Sequence, residues 1–413
     1  MRGLKSNTEI LMYDGTVKTA DQIVAGDIIM GDDSTARVVY ITTHFRETLY
    51  KIAPTDSTEP YFATMNSILC LKNNTSPKLH HDKGKYPRYR VHYLESIIEE
   101  FPTHSLTKLK HKTINHHYHQ FSKEDKYDKA KEDLDRLFNL YHLGFPLHEL
   151  EMVNYLKESK TFYNQIVSYR TGITFNNTLK QELSPYLLGA WIGDGTSSAP
   201  NITNIDFELI EFLYQEAKRM NMSLIQGVDT QQHQGWMTYY FRPIIKKNGT
   251  NFFKNFLKKN NLLDNKHIPY HYKINTRENR LLLLAGLIDT DGYYHEHNHY
   301  EIIQKSELIS NDVVFLIRSL GFWCHIRPCV KGCMYKGEMR NGDYFRMSFG
   351  GDNLHEIPVL LPRKMAPVQT KRRQKNAMHY KVNITEDEED DCVSFEVSGN
   401  HRFVLSDFKV VHD

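Results

Sequence analysis

Short alternations of apolar and polar residues open the chain and return at its end. From residue 8 to residue 41, runs such as EILMY and ARVVYI are separated by the turn pairs Asp14-Gly15 and Ala25-Gly26. The runs CVSFEV and HRFVL repeat this texture near the C-terminus. Alternation with a period of two, broken by turn residues, predicts β-strands with one buried face. Both ends of the chain are therefore predicted to be β-rich.

The middle of the chain has a different pattern. Between about residues 183 and 361, apolar residues recur at helical spacing, as in 207–220 and 306–320, and these stretches alternate with strand pairs. Because 413 residues exceed one ordinary hydrophobic core, two domains are expected. We predict a discontinuous β-rich domain at 1–180 and 371–413. It is split by an α+β domain at 181–370, whose halves span about 181–275 and 276–370.

Two segments of the middle domain repeat each other: LLGAWIGDG at residues 187–195 and LAGLIDTDG at residues 284–292. Their alignment places Asp194 over Asp291, which follows 97 residues later. An apolar run that ends in a carboxylate predicts a helix buried on nearly all sides, with its acid at the tip. One copy alone fits an ordinary core helix followed by an Asp-Gly turn. The duplication favours a pair of helices instead.

Small residues lie one helical turn apart in both copies, Gly189 and Gly193 in the first, Gly286 and Thr290 in the second. They predict that the two helix backbones approach closely and bring the terminal acids side by side. Adjacent carboxylates repel each other unless a cation neutralises them, and hard oxygen ligands suit Mg²⁺.

With these motifs the sequence resembles the LAGLIDADG homing endonucleases, in which paired motif helices form the interface of two half-domains. The segments ILMYDG near the start, RSLGF at 318–322 and VVH at 410–412 extend the resemblance over nearly the whole chain. It is similar to the yeast vacuolar-ATPase intein type and to its free-standing mating-type-switching relative, without that relative's cysteine-rich zinc region. The resemblance implies an intein-like (Hint) fold for the β-rich flanks.

The resemblance also implies which groups bind the catalytic metal. Asp194 and Asp291 match the family's metal-binding acids, and the backbone carbonyls of Gly193 and Thr290 would complete the ligand shells. The expected metal is Mg²⁺, with Mn²⁺ as a substitute. Asp289 has no counterpart in the first copy and is not one of the paired acids.

A lysine recurs at nearly the same offset as the motifs. Lys266 in KHIP and Lys364 in RKMAP lie 98 residues apart, each shortly before a proline. Both match the active-site lysines of the family, which would stabilise charge or orient water during phosphodiester hydrolysis. The alternative is that both are surface lysines of a lysine-rich chain.

Protein splicing needs a Cys or Ser nucleophile at the first intein residue, a His that polarises the scissile amide and a terminal Asn that cyclises. Alignment with the family gives six positions for this machinery: Gly3, Thr64, Ser67, His401, His412 and Asp413. Gly3 has no side chain with which to attack, Ser67 replaces the first His, and Asp413 replaces the Asn. Splicing is therefore predicted to be lost.

Residues 78–120 carry eight Lys or Arg and eight His against four acids, which predicts contact with a polyanion. The resemblance places a DNA-recognition arm at about 78–150; the alternative is a solvated loop. Each half of the insertion should also supply a curved sheet that lies in the major groove of a long duplex site. The candidate DNA contacts are Lys85, Tyr86, Arg88, Tyr89, Arg90, Arg242, Gln304, Lys305, Arg346 and Arg363.

Composition changes this picture little. The net charge is +2, and the acidic run EDEEDD at 386–391 is expected to be a solvated loop. Five cysteines, an odd number, fit a reducing compartment. The group Cys324, His325, Cys329 and Cys333 lacks a Cys-x-x-Cys spacing, so a zinc site there is not favoured. With no apolar run of about 18 residues, a soluble intracellular protein is expected, and the resemblance implies a nuclear monomer.

The expected function is that of a site-specific homing endonuclease, which makes a double-strand break in a long DNA target by Mg²⁺-dependent hydrolysis. One alternative is a DNA-binding protein of the same fold that no longer cuts. The other is a self-splicing intein. The presence of both acids and both lysines favours cutting, whereas Gly3, Ser67 and Asp413 argue against splicing.

Overall fold

The computed structural model describes residues 1–74, 77–83, 86–101, 104–118, 122–142, 147–176, 180–227, 237–244, 250–335, 338–368 and 376–413. The chain forms two compact units, Met1–Thr171 with Arg372–Asp413, and Gly172–Lys371. The division made from sequence put residues 172–176 in the first domain, but here they belong to the second unit. The Ile173 amide donates to Ser319 O at 2.8 Å, and the buried Arg280 donates to Ile173 O at 2.6 Å.

The secondary structure follows in chain order. The first segment contains β1 (Leu4–Lys5), β2 (Glu9–Leu11), β3 (Val17–Thr19), β4 (Ile28–Met30), β5 (Ala36–Pro54), β6 (Tyr61–Thr64), β7 (Ile68–Asn73), β8 (Lys78–Asp82), β9 (Arg88–Phe101), β10 (His104–His117), α1 (Lys123–His142), β11 (Leu147–Glu151), α2 (Met152–Tyr155), α3 (Lys160–Gln165) and β12 (Ile166–Tyr169). The second unit contains α4 (Pro185–Asp194), β13 (Asn201–Asn204), α5 (Phe207–Arg219), β14 (Met222–Gln226), β15 (Met237–Pro243), α6 (Phe252–Lys259), α7 (Tyr270–Lys273), α8 (Arg277–Asp291), β16 (Gly292–His295), β17 (His299–Gln304), α9 (Glu307–Ser319), β18 (Trp323–Tyr335) and β19 (Glu338–Gly350). The last segment contains β20 (His379–Tyr380), β21 (Val382–Val397), β22 (Arg402–Val404) and β23 (Val410–His412).

The first unit is built from sheets that join the two ends of the chain. β21 pairs with both β1 and β5, and β20 extends a sheet in the order β11-β7-β12-β20. Apolar residues from the N-terminal strands and from β21 to β23 share one core, which includes Ile10, Ile29, Val393 and Phe403. The predicted β-rich character of both flanks is confirmed, and long-range strand pairing makes them one folded unit.

The acidic run at 386–391 lies within β21, so the expectation of a solvated loop was wrong. The strand pairs antiparallel with β5 and has a register shift between Glu386 and Glu389. Cations lie beside the carboxylates: Lys5 contacts Asp390 at 2.8 Å, and Arg46 contacts Glu389 at 3.3 Å. Pairing to a neighbouring strand satisfies the backbone, and these cations reduce the repulsion within the run.

The described residues between 78 and 142 form a small layered structure that we call the arm. Its strands pair in the order β10-β9-β8, and α1 covers one face of this sheet. Tyr89 and Val91 of β9 pack with Ala130 and Leu137 of α1 in a core of their own. Because side chains alternate across a strand, Arg88 and Arg90 lie on the opposite face. The alternative of a solvated loop at 78–120 was wrong for the strands described there.

The second unit contains two similar halves around the pair α4 and α8. Both halves share the order strand, helix, strand, strand after the motif helix: β13, α5, β14 and β15 in the first half, β17, α9, β18 and β19 in the second. The second half has one additional strand, β16, between α8 and β17. The sheets have the orders β13-β15-β14 and β16-β17-β19-β18. The predicted helices at 207–220 and 306–320 are confirmed as α5 and α9. In the part of the chain that the structure describes, none of the helices has the length and apolar character to cross a membrane.

Candidate active site

The two motif helices begin with strong capping signals. The Ser184 side chain accepts a hydrogen bond from the amide of Leu187 at the start of α4, and Pro185 lies in the first turn of this helix. The Thr276 side chain likewise accepts the amide of Asn279 at the start of α8. These caps satisfy backbone donors that have no partner within the helix, and proline is suited to the first turn. Local sequence therefore fixes where each helix starts.

Glycines allow α4 and α8 to touch through their backbones. A Cβ atom added to Gly189 would lie 2.2 Å from Leu283 O, and one added to Gly286 would lie 2.2 Å from Tyr186 O. No side chain fits at either distance. The close approach predicted from the small residues of the motif is confirmed.

The C-terminal tips of the two helices meet as well. A Cβ atom on Gly193 would lie 2.1 Å from Thr290 Oγ1 and 3.1 Å from Asp291 Oδ2. Burial raises the pKa of Asp194 to about 6, and the nearby charge of Asp291 adds to the rise. Burial also raises the pKa of Asp291. The two acids therefore share a region in which negative charge is costly unless a cation compensates it.

Each acid receives a hydrogen bond from an amide side chain. Asn204 Nδ2 donates to Asp194 Oδ2 at 2.7 Å, and Gln304 Nε2 donates to Asp291 Oδ2 at 2.5 Å. Both amides lie two residues before the N-cap of the next helix, Asp206 before α5 and Ser306 before α9. Sequence reasoning missed Asn204 and treated Gln304 only as a DNA contact. The common position before two capped helices is the signal that identifies the pair.

The two predicted lysines contact the same helix tips. Lys266 Nζ donates to Ile192 O at 2.8 Å and to Gly195 O at 2.6 Å. Lys364 Nζ donates to Ile288 O at 2.8 Å and to Asp289 O at 2.9 Å. Each ammonium thus binds the last carbonyls of one motif helix, where the helix dipole favours positive charge.

Burial lowers the pKa of both lysines, and the acids act in the opposite direction. The pKa of Lys266 falls to about 8, with Asp291 and Asp194 opposing the shift. The pKa of Lys364 is also lowered, chiefly by burial, with Asp289 opposing the shift most. At neutral pH Lys266 remains largely protonated, because its pKa still lies above 7.

The site suits a divalent cation bound mainly by oxygen atoms. From the described residues, hydrogen bonds reach only Oδ2 of Asp194 and of Asp291, so Oδ1 of each acid can bind a cation. The predicted carbonyl ligands are partly engaged, since Gly193 O lies 3.4 Å from Lys266 Nζ and Thr290 O lies 3.5 Å from Lys364 Nζ. Within the described ranges, no cluster of three or more His, Cys, Asp or Glu residues could hold a metal. Two acids completed by carbonyl, water or phosphate oxygens fit Mg²⁺ better than a soft metal.

The candidate DNA contacts of the insertion lie in different environments. Arg242 and Arg346 are exposed on β15 and β19, and Lys305 is exposed just after β17. Arg363 forms a bidentate ion pair with Asp206 at 2.7 and 2.8 Å. Gln304, by contrast, is engaged by Asp291 within the candidate site.

The arm separates its candidate contacts into two groups. Tyr86 is 72% exposed, and Arg88 and Arg90 both contact Asp82, at 3.0 and 2.9 Å. Tyr89 is only 6% exposed and stacks on Tyr118 with ring centroids 5.2 Å apart. The prediction that the Tyr89 ring contacts DNA was therefore wrong, because this ring fills the core of the arm. Lys85 and residues 370–375 lie outside the described residues.

The positions that match the splicing machinery form two groups within the first unit. The Gly3 amide donates to Thr64 Oγ1 at 3.0 Å and to Ser67 Oγ at 3.4 Å. His401 Nδ1 lies 3.0 Å from Asp413 Oδ2, and the rings of His401 and His412 stack 5.7 Å apart. A cavity of about 310 Å³ is lined by Arg2, Ser394, Phe395, Glu396, His401, His412 and Asp413.

The cysteine group in the second unit is not assembled as a metal site by its described members. Cys324 is buried in the hydrophobic core, whereas Cys329 is partly exposed further along β18. The side chain of Cys333 lies outside the described residues.

Known proteins resemble this chain to different extents. The model of the family described as Hom_end-associated Hint matches residues 4–412. The replicative DNA helicase DnaB of Mycobacterium intracellulare is 34% identical over 140 residues, which is 34% of this chain and 19% of that protein. The chain thus spans about a fifth of that relative.

Among solved structures, the homing endonuclease I-DmoI in complex with DNA and Ca is similar to 41% of this chain over 83% of its own length, with 14% identity and a TM-score of 0.25. The gp41-1 intein is similar to 29% of this chain over 90% of its own length, with 10% identity and a TM-score of 0.15. Both TM-scores are far below 0.5, so we rest the family assignment on the match over residues 4–412.

Proposed function

Because the chain belongs to the Hom_end-associated Hint family, we propose that it is a LAGLIDADG-type homing endonuclease that makes a double-strand break in a long DNA site. The observation that carries this proposal is the repeated geometry at the tips of α4 and α8. Each tip presents a half-buried carboxylate that is hydrogen-bonded to an amide and accompanied by a lysine. Two such centres suit the two strands of a duplex.

Asp194 and Asp291 would hold the divalent cation. When bound, Mg²⁺ supplies charge stabilisation for the pentacovalent phosphate and activates water for in-line attack. Asn204 and Gln304 fix the orientation of the two carboxylates, because each occupies one oxygen and leaves the other for the cation. The raised pKa values of the two acids show that their negative charge is unfavourable here, so a bound cation would be stabilised by compensating it.

Lys266 and Lys364 supply positive charge that is already in place before DNA binds. Each ammonium is held by backbone carbonyls rather than by a carboxylate, so its charge is not cancelled by a directly bonded acid. Preorganised charge of this kind stabilises a transition state without reorganisation at the moment of reaction. We assign one lysine to each cutting centre.

DNA would be read by exposed and partly exposed basic residues in each of the two units. Arg242 and Arg346 are exposed on the strands of the two halves, and Arg88 and Arg90 lie on the face of the arm away from α1. Phosphate contacts by such residues give affinity that falls steeply with salt. Arg363 can join them only if its ion pair with Asp206 opens.

We further propose that the first unit has lost splicing and serves DNA binding, on a fold of the yeast vacuolar-ATPase intein type. Gly3 provides no nucleophile, and a Cβ atom there would lie 2.6 Å from Phe45 Cζ. Restoring a cysteine would therefore require the Phe45 ring to move. Ser67 and Asp413 lack the imidazole and the carboxamide that splicing needs.

Sequencing of DNA ends tests the proposed function directly. The full chain is incubated with a genomic duplex library and Mg²⁺, and new ends are mapped. Discrete ends that vanish in Asp194→Asn and Asp291→Asn variants support the endonuclease. Retention of specific fragments without new ends would favour a protein that binds and does not cut.

A further inference from the structure

The pseudo-symmetry of the second unit is broken at two buried carboxylates. Asp289 in α8 corresponds to Ile192 in α4, three residues before the matched glycine of each motif. Asp312 lies six residues after the N-cap of α9, and Phe212 takes that place in α5. Asp289 and Asp312 are only 1% and 6% exposed. Neither acid belongs to the metal pair, so both need another reason for being buried.

Asp289 holds the segment that carries Lys364. Its carboxylate accepts hydrogen bonds from the amide of Leu360 at 2.6 Å and from the amide of Leu361 at 3.3 Å. It also accepts the Tyr186 hydroxyl of α4 at 2.5 Å. Lys364 follows three residues after Leu361, in a 3₁₀ turn at Pro362–Lys364. The carboxylate thus fixes the backbone from which the lysine reaches the tip of α8.

Asp312 holds the segment that carries Lys266. Its Oδ2 accepts the amide of Ile268 at 2.8 Å, and its Oδ1 accepts Lys273 Nζ at 2.5 Å. Lys266 lies two residues before Ile268, and Lys273 ends the short helix α7 that follows. The bond from Ile268 therefore fixes the backbone two residues after Lys266, while the ion pair with Lys273 neutralises the buried carboxylate. This contact crosses from α9 in the second half to the lysine segment of the first.

We propose that Asp312 and Asp289 are positioning residues, one for each cutting centre. Asp312 sets Lys266, and Asp289 sets Lys364. This inference rests on the proposed endonuclease function for its effect on DNA, but the positioning itself is a property of the free protein. A displacement of about 1 Å can slow an enzymatic step about 100-fold, so loss of either anchor should weaken one centre and spare the other.

Lysine labelling tests the positioning without any cleavage. The full chain is treated with limiting acetic anhydride, and acetylation of Lys266 and Lys364 is quantified by mass spectrometry. Asp312→Ala should raise the modification rate of Lys266 by about fivefold and leave that of Lys364 unchanged, because loss of the hydrogen bond from the Ile268 amide lets the segment that carries Lys266 move. Asp289→Ala should do the reverse. Asp312→Asn and Asp289→Asn, which keep one acceptor oxygen, should give smaller changes.

Two matched controls separate the backbone anchors from the other bonds of the same acids. Lys273→Gln removes the ion pair of Asp312 but leaves its bond to Ile268, and Tyr186→Phe removes the hydroxyl from Asp289 but leaves its bonds to Leu360 and Leu361. Both controls should label like the wild type. If either anchor variant changes both lysines equally at an unchanged melting temperature, the acids only support the fold and the inference fails.

Strand-resolved cleavage gives the second measurement. On a duplex labelled at both ends, Lys266→Met and Lys364→Met first identify the strand that each lysine serves. Asp312→Ala should then slow the strand slowed by Lys266→Met by about 100-fold, and the other strand by no more than about twofold. Asp289→Ala should slow the opposite strand, so each variant accumulates a nicked product. Equal slowing of both strands, or exchanged strands, would overturn the inference. A wild type that cuts no DNA would refute the proposed function alone, because the labelling result still decides the positioning.

Discussion

Single buried side chains make the stability of this protein depend on pH. His148 in β11 is 2% exposed, and its Nε2 lies 3.0 Å from Asn73 Oδ1. Burial lowers the pKa of His148 to about 4 from its ordinary 6.5. Below pH 6.5 the unfolded chain therefore binds a proton that the folded chain does not. Stability that is fully present above pH 6.5 is lost as the pH falls towards 4.

We predict that this residue alone removes about 3 kcal/mol from the free energy of unfolding between pH 6.5 and pH 4. His148→Gln, which keeps an amide group near Asn73 and cannot titrate, should show a shallower fall over the same range. Urea denaturation of the full chain at several pH values measures the difference. Parallel pH dependences for the two proteins would show that His148 is not the source.

Residue identity could be predicted from sequence where a repeat marked it. Asp194, Asp291, Lys266 and Lys364 were found because they recur at a nearly constant offset, and the structure brings all four to the tips of the helix pair. The two anchoring acids could not be found this way, and Asn204 is recognised only together with Gln304, once the N-caps of α5 and α9 are known. The partners of the anchoring acids lie on other elements, and these acids have no counterpart in the other half.

At the scale of elements, α4 and α8 pack so closely that backbone contact overrides helix propensity. Replacing Gly286 by Ala would by propensity alone stabilise a helix by about 1 kcal/mol. Its Cβ would, however, lie 2.2 Å from Tyr186 O, which is a backbone atom. We predict that Gly286→Ala destabilises the protein by about 2 kcal/mol or more, because the helices must separate.

Chemical denaturation of the purified variant checks this sign. Gly189→Ala, which meets Leu283 O at 2.2 Å from the other helix, should have a similar effect. An increase in stability for either variant would mean that the two helices lie further apart than in this structure.

The two faces of strand β9 in the arm should behave differently towards DNA. Arg90 lies on the face of β9 that points away from α1, whereas Tyr89 lies on the opposite face and packs against α1. We predict that Arg90→Ala weakens DNA binding and lowers the slope of log affinity against log salt by about one, as expected for one lost phosphate contact.

Binding titrations at several salt concentrations measure that slope. Tyr89→Phe keeps the packed ring and should bind DNA with the wild-type salt dependence. A normal slope for Arg90→Ala would place the DNA elsewhere than on this face of the arm.

Elements were predicted well where the pattern was local and poorly where pairing was distant. Apolar periodicity identified α5 and α9 to within a residue or two. The acidic run of β21 gave no strand signal, because its pairing with β5 bridges more than 300 residues of sequence. Tyr89 was misjudged for a similar reason. Only the packing of α1 on the arm shows which face of β9 is buried.

At the scale of the whole molecule, the predicted fold class is confirmed: the chain is an intein-like β-rich unit interrupted by an α+β unit with two similar halves. Pairing of β1 and β5 with β21 joins the two separate chain segments of the first unit into one sheet. The family match covers both units together, since it extends from residue 4 to residue 412.

The central claim is that the paired acids at the tips of α4 and α8 cut DNA. It is tested most directly by single-turnover cleavage of an end-labelled duplex that carries the mapped site, with Mg²⁺ or with EDTA. We predict that Asp194→Asn and Asp291→Asn each reduce double-strand breakage by about 1,000-fold while the affinity for the duplex stays near the wild-type value. Double-strand cleavage by the Asp194→Asn, Asp291→Asn double variant at the wild-type rate would contradict the account.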